Sequence, residues 1–196
     1  MPEDTQLSDS DGVFLVKTAR MAVTEFLSNG KRMKLESERE KKFSFNAGVF
    51  VTLNNADGLR GCIGFPMPDK KLSHGIIDAA IAAATEDPRF SPVKTNELNG
   101  IVFEVTVLTP PVEITVTDPM EYLEKIKVGR DGLIIRNSFS SGLLLPQVPV
   151  EYGWNVEEFL QHTCEKAGLE KNTWKNEKVK IEKFEGIVYK EETNGS

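Results

Sequence analysis

Few side chains in this 196-residue chain have the chemistry to act on a substrate, and the sharpest is Cys62, in the run GLRGCIGF at 58–65. A cysteine between glycines on a strand is sterically open. Arg60, two residues away and so on the same strand face, would lower the pKa of a neighbouring thiol and favour the nucleophilic thiolate. The other reading is that a free cysteine, among the most buried residue types, fills a small space. Gly61 and Gly64 carry a matching pair of readings. An interior glycine costs a strand roughly 0.5–1 kcal/mol, so something offsets the loss. Either a neighbouring backbone comes close, or room is kept beside Cys62 for a ligand.

Thiol catalysis needs a base, and the two histidines, His74 and His162, stand in no recognisable nucleophile sequence. Asp78 falls four residues after His74, a spacing that suits a polar contact at a helix end or a proton-transfer pair. The cysteines and histidines at 62, 74, 162 and 164 are too scattered for zinc, because His162 and Cys164 point to different helix faces. No metal is expected. No cofactor is expected either, since the chain has neither a P-loop nor a G-x-G-x-x-G run, although Lys70 and Lys71 near a helix start can attract an anion. EDPRF (86–90) sets Asp87 and Arg89 on either side of a rigid proline, ahead of Phe90. That suits a salt-bridged corner or an anion-reading arginine equally. LLLPQV (143–148) offers Pro146 and Gln147 at a strand end, as a pocket wall or a plain loop.

These residues need elements to hold them. Apolar positions at helical spacing predict an opening helix over 12–28, stopped by Asn29-Gly30. AGVFVTLNN and GLRGCIGF, joined at Ala56-Asp57, read as a hairpin. KKLSHGIIDAAIAAATE (70–86) is apolar on most faces and predicts a buried helix whose alanines let a sheet lie close. Pro88 ends it. A strand at 100–108, a short one in VEITV, a helix at 118–126 capped by Asp118, a second hairpin at 131–148, a helix at 155–169 and a strand at 179–190 complete the pattern. Residues 1–11 and 191–196 read as flexible tails around one domain at 12–190.

The chain is long enough for a real core, with 39% hydrophobic residues. It has no run of eighteen apolar residues and its start, MPEDTQLSDSDG, has no apolar core of a leader, so a cytoplasmic protein without a membrane span is expected. Two cysteines suggest free thiols. A net charge of −6 disfavours broad DNA binding or attachment to anionic lipid. KRMKLESEREKK (31–42) concentrates six basic residues but interleaves three glutamates, which reads first as a solvated segment.

A repeat underlies the pattern. A shift of 84 residues, from Gly48 to Gly132, brings the two hairpins and the helices after them into phase, and GIVF (100–103) and GIVY (186–189) close the halves. The halves run over about 46–109 and 130–190. At that shift RGCIG faces LLPQV, so the glycines and Cys62 are expected to answer a local demand of the first half alone.

Taken together, GVFVTL, LRGCIG, AAATEDPRF, FEVTVLTPP, GRDGL, LLLPQV and FLQHTCEKAGL resemble the AMMECR family, over about Gly12 to Tyr189. The resemblance implies an α+β fold, a duplicated hairpin, helix and strand unit around a mostly antiparallel, barrel-like sheet flanked by helices, with the LRGCIG segment lining a cleft. It implies no established reaction, so whether the protein is an enzyme is left open. Association of relatives with Memo-type and radical SAM proteins points to a pathway of protein or RNA modification. Carried over by position, the site is Cys62 as candidate catalytic group, with Arg60, Gly61, Gly64, Asp87, Arg89, Phe90, Pro146 and Gln147 as candidate ligand-binding residues. The family pattern places histidine where Asp131 stands and aspartate where Asn155 stands, which removes the case for proton transfer at either position. The expected functions are an enzyme or pathway component acting through Cys62, or a noncatalytic module for a small molecule, peptide, nucleotide or RNA. In a third reading the glycines serve packing alone.

Overall fold

The computed structural model describes residues 7–176 and 179–192. Ser8 starts the first helix, α1 (Asp9–Asn29), by a capping box: its hydroxyl accepts from the Asp11 N–H while the Asp11 carboxylate accepts from the Ser8 N–H. The helix therefore begins inside the stretch expected to be a tail. Gly30, at φ 70°, ends it as the Asn-Gly pair predicts. A short helix, α2 (Ser37–Lys42), carries part of the basic run.

Contacts divide the chain into two units, Met1–Leu108 with Ile187–Ser196, and Thr109–Gly186. In the first, β1 (Val49–Asn55) lies between β2 (Gly58–Phe65) and β3 (Val102–Leu108), antiparallel to both, with Val51 opposite Ile63 and Val105. Alternation sends Val49, Val51, Leu53, Phe103, Val105 and Val107 into the core. Helix α3 (Leu72–Thr85) connects β2 to β3 and packs on β1, β2 and α1, and its alanine-rich faces are buried as predicted. The opposite sheet face, bearing Phe50, Thr52, Cys62, Glu104 and Thr106, stays half-buried.

The second unit repeats the order hairpin, helix, strand. After β4 (Val112–Glu113) and the one-turn α4 (Tyr122–Lys125), β5 (Asp131–Arg136) pairs with β6 (Ser141–Leu144), and helices α5 (Gln147–Tyr152) and α6 (Val156–Lys166) lead to β7 (Lys180–Lys190). Leu133, Ile135, Phe159, Leu160, Trp174 and Ile181 form its core. The predicted hairpin over 131–148 ends early, at Leu144, because Pro146 and Pro149 lack the N–H groups a ladder needs and suit the start of a helix instead. The predicted 118–126 helix splits into a 3-10 turn at Pro119–Glu121 and α4, still capped by Asp118. VEITV contributes only Val112 and Glu113 to a strand.

The strand paired with β5 is the Lys180–Glu185 part of β7. Ile187 onward belongs to the first unit, so GIVF and GIVY are alike in sequence without matching places in the two units. There Glu191, expected in a flexible tail, is fastened: its N–H donates to the Phe103 carbonyl, and its carboxylate accepts from the Phe103 N–H and the Arg20 guanidinium. Residues 1–6 and 193–196 of the two expected tails lie outside the described residues. The class is α+β with a mostly antiparallel sheet. Among the described residues no helix is long and apolar enough to cross a membrane.

Candidate functional site

The space beside Gly61 and Gly64 is taken by the protein's own atoms. A Cβ on Gly61 would lie 2.2 Å from the Ala83 carbonyl oxygen of α3, and one on Gly64 would lie 2.3 Å from the Phe50 ring and 2.5 Å from the Val49 oxygen. Both glycines admit close packing, and the expectation that they keep room for a ligand is corrected. The second unit has the same need. A Cβ on Gly142 of β6 would lie 2.3 Å from the Ala167 nitrogen, at the end of α6. Ala83 and Ala167 are the residues a shift of 84 aligns, so each unit spends a glycine where its hairpin meets its helix, and the asymmetry expected at Gly61 is absent.

A bulge separates Arg60 from Cys62. Leu53 pairs with Gly61 but Asn54 with Leu59, which leaves Arg60 as the extra residue and re-aims its side chain. Its Nε and Nη2 donate to the Glu97 carboxylate at 2.9 and 3.3 Å, and Nη1 donates to the Ser91 carbonyl at 2.9 Å. The Arg60 hydrogen bonds in turn hold the Glu97 carboxyl below its ordinary pKa. Arg60 is thus a tie between β2 and the 91–97 segment, which ends in a 3-10 helix at Thr95–Gly100, and its expected role beside the thiol is corrected.

Asp87 and Arg89 form the salt-bridged corner, one of the two readings of EDPRF. Arg89 Nε and Nη2 donate to Asp87 at 3.0 and 2.7 Å. The corner then grips the outer edge of β2: the Cys62 N–H donates to Asp87 at 2.8 Å, and Arg89 Nη2 donates to the Cys62 carbonyl at 3.3 Å. Two backbone groups that a sheet edge would leave open are satisfied, as a neighbouring strand would satisfy them. Asp87 is 5% exposed. The Arg89 hydrogen bonds, against the opposing effect of burial, hold its carboxyl far below the usual range. Phe90 closes the turn with its N–H on the Asp87 carbonyl, and its ring lies 5.6 Å below the Arg89 guanidinium.

Cys62 itself is half-buried on the outer face, where Thr52 Oγ1 donates to Sγ at 3.3 Å. Register continues the row, since Thr52 pairs with Cys62 on one side and with Glu104 on the other. Phe50 likewise sits between Gly64 and Thr106. Both imidazoles are engaged with glutamates, His74 with Glu40 at 3.3 Å and His162 with Glu165 at 2.8 Å. His74 and Asp78 do not pair, because Asp78 is taken by Lys70 and Arg32. Pro146 and Gln147 lie in the second unit, at the start of α5, with Gln147 exposed. Asp131 is a buried partner of Arg130, and Asn155 caps α6. Among the described residues no group of three His, Cys, Asp or Glu side chains is placed to hold a metal.

Thr52 and Glu104 were not singled out from the sequence, although the alternation in VFVTL and FEVTV marks both as outward. Glu97 had no such signal, because its partnership with Arg60 spans 37 residues through a loop.

The arrangement has relatives. The chain is 51% identical to protein MJ0810 of Methanocaldococcus jannaschii over 187 residues, covering 94% of this chain and 92% of that one. It is 48% identical to protein PYRAB00100 of Pyrococcus abyssi over 192 residues, covering 95% and 93%. The crystal structure of the uncharacterized protein PH0010 from Pyrococcus horikoshii superposes with a TM-score of 0.77 at 49% identity, over 95% of this chain and 94% of that one. The family model AMMECR1 matches residues 16–189, the stretch that carries both glycine-packed hairpins and the Asp87–Arg89 corner, and the chain belongs to the AMMECR1 family.

Proposed function

We propose that the protein is a noncatalytic binding module and that the half-buried face around Cys62 receives a basic polypeptide segment. The observation that carries this reading is the pairing of every charged group expected to serve the thiol: Arg60 holds Glu97 and Arg89 holds Asp87. Neither arginine is left to position an anionic substrate, and neither imidazole hydrogen-bonds the thiol, so the enzyme reading loses its machinery. The row Cys62, Thr52, Glu104 remains, with Phe50 and Thr106 beside it. It offers apolar area, two hydroxyls and one carboxylate without an ion-pair partner among the described residues. A lysine or arginine against Glu104 complements that surface, and the net charge of −6 steers such a partner while repelling RNA. Strand addition on β2 is not the mode, because Asp87 and Arg89 already occupy the edge at Cys62. The association with Memo-type and radical SAM proteins implied by the resemblance agrees with a protein partner.

Selection of a randomised peptide library on the immobilised full chain tests this. Lysine- or arginine-bearing sequences are expected to be enriched on the wild type and on Cys62→Ala, and lost on Glu104→Lys. Enrichment that vanishes with Cys62→Ala, or that ignores Glu104→Lys, would overturn the proposal.

A further inference from the structure

Two stretches that lie apart in the sequence bring basic side chains together in the first unit. Residues 32–35, Glu40 and side chains within 69–78 line a cavity of about 850 Å³, a size typical of small-molecule sites. Arg32, Lys34, Lys70 and Lys71 contribute four positive charges against the carboxylates of Glu40, Asp69 and Asp78. The lining is net positive on a chain of net charge −6.

The charges are unevenly shared. Asp78 serves two cations, Lys70 at 3.1 Å and Arg32, so a single carboxylate leaves donors on both unspent. Lys34 and Lys71 are exposed and have no carboxylate partner among the described residues. The amides at the start of α3 are not available to a ligand, because the Leu72 and Ser73 N–H groups donate to the Phe45 and Phe43 carbonyls at 2.9 Å. Any anion here is held by side chains. Met33 and Leu35 supply an apolar wall that packs on the core, and the Lys70 ammonium lies 4.1 Å from the Phe65 ring centroid. Ser73, fully buried at the cavity lining, has a hydroxyl without a hydrogen-bond partner among the described residues.

We propose that this cavity binds a small phosphorylated molecule, its phosphate between Arg32 and Lys70, with Lys34 and Lys71 at the rim and its apolar body on Met33 and Leu35. A phosphate presents enough acceptor oxygens to engage the donors that Asp78 leaves unsatisfied on both cations. Asp78 then competes with the ligand for the same donors.

Titration of the full chain with inorganic pyrophosphate, followed by calorimetry and by amide chemical shifts, tests the site. Saturable binding is expected, with shifts confined to residues 32–35 and 69–78. The double variant Lys34→Glu, Lys71→Glu, altered only at exposed positions, is expected to weaken binding about tenfold or more. Asp78→Asn, which removes the competing carboxylate, is expected to tighten it by about threefold, a change opposite to that of a damaged fold. Absence of saturable binding, shifts elsewhere in the chain, or affinities unchanged in both variants would overturn the proposal.

Discussion

At the scale of single residues, Asp87 does most to shape the surroundings of Cys62. Its buried carboxylate joins the loop after α3 to the edge of β2 and pins Arg89 in place. Replacing it with alanine strands the Cys62 N–H and removes the anchor of the guanidinium. Urea denaturation of Asp87→Ala is expected to show a loss of about 1–3 kcal/mol. The acid dependence has a definite sign. The folded carboxyl titrates below its unfolded value, so its contribution is complete above about pH 4 and is lost as the pH falls toward the folded value. The urea midpoint of the wild type is therefore expected to drop on acidification below about pH 4, and that part of the drop to be shallower in Asp87→Asn. An identical acid profile in the variant would remove Asp87 from this role.

At the scale of elements, the contact between hairpin and helix is the repeated design. Gly61 against Ala83 and Gly142 against Ala167 let a strand approach the end of a helix more closely than any side chain allows. Gly61→Ala and Gly142→Ala are each expected to cost roughly 1–3 kcal/mol in chemical denaturation, since the obstacle is backbone and cannot rotate away. Much of this level was legible: the alternation of VFVTL, the buried alanines of α3 and the Asn29-Gly30 stop all follow from local sequence. The glycine equivalence was not. An ungapped shift of 84 residues is blind to the bulge at Arg60 and to the different hairpin turns, so it set Gly61 against Leu145 and hid Gly142. The ties from Arg60 to Glu97 and from Cys62 to Asp87 depend on how loops return to a strand edge, which no periodicity records. The corner at Asp87 and Arg89 was visible as a rigid charged turn, while the edge it grips was not.

At the scale of the whole molecule, the chain closes the first unit with its own C-terminal stretch, whose Glu191 reaches Arg20 and Phe103. Glu191→Ala leaves a half-buried guanidinium without its carboxylate, and thermal unfolding is expected to report a loss of about 1–2 kcal/mol. The binding proposal also belongs to this scale, because it joins the overall negative charge to one carboxylate on one sheet face. The most direct test is the affinity of a single lysine-bearing peptide from the library selection, measured by calorimetry for the wild type, Cys62→Ala and Glu104→Lys. The account predicts that Cys62→Ala stays within about threefold of the wild type and that Glu104→Lys weakens binding by about tenfold or more. Loss of binding in Cys62→Ala, or wild-type affinity in Glu104→Lys, would contradict it.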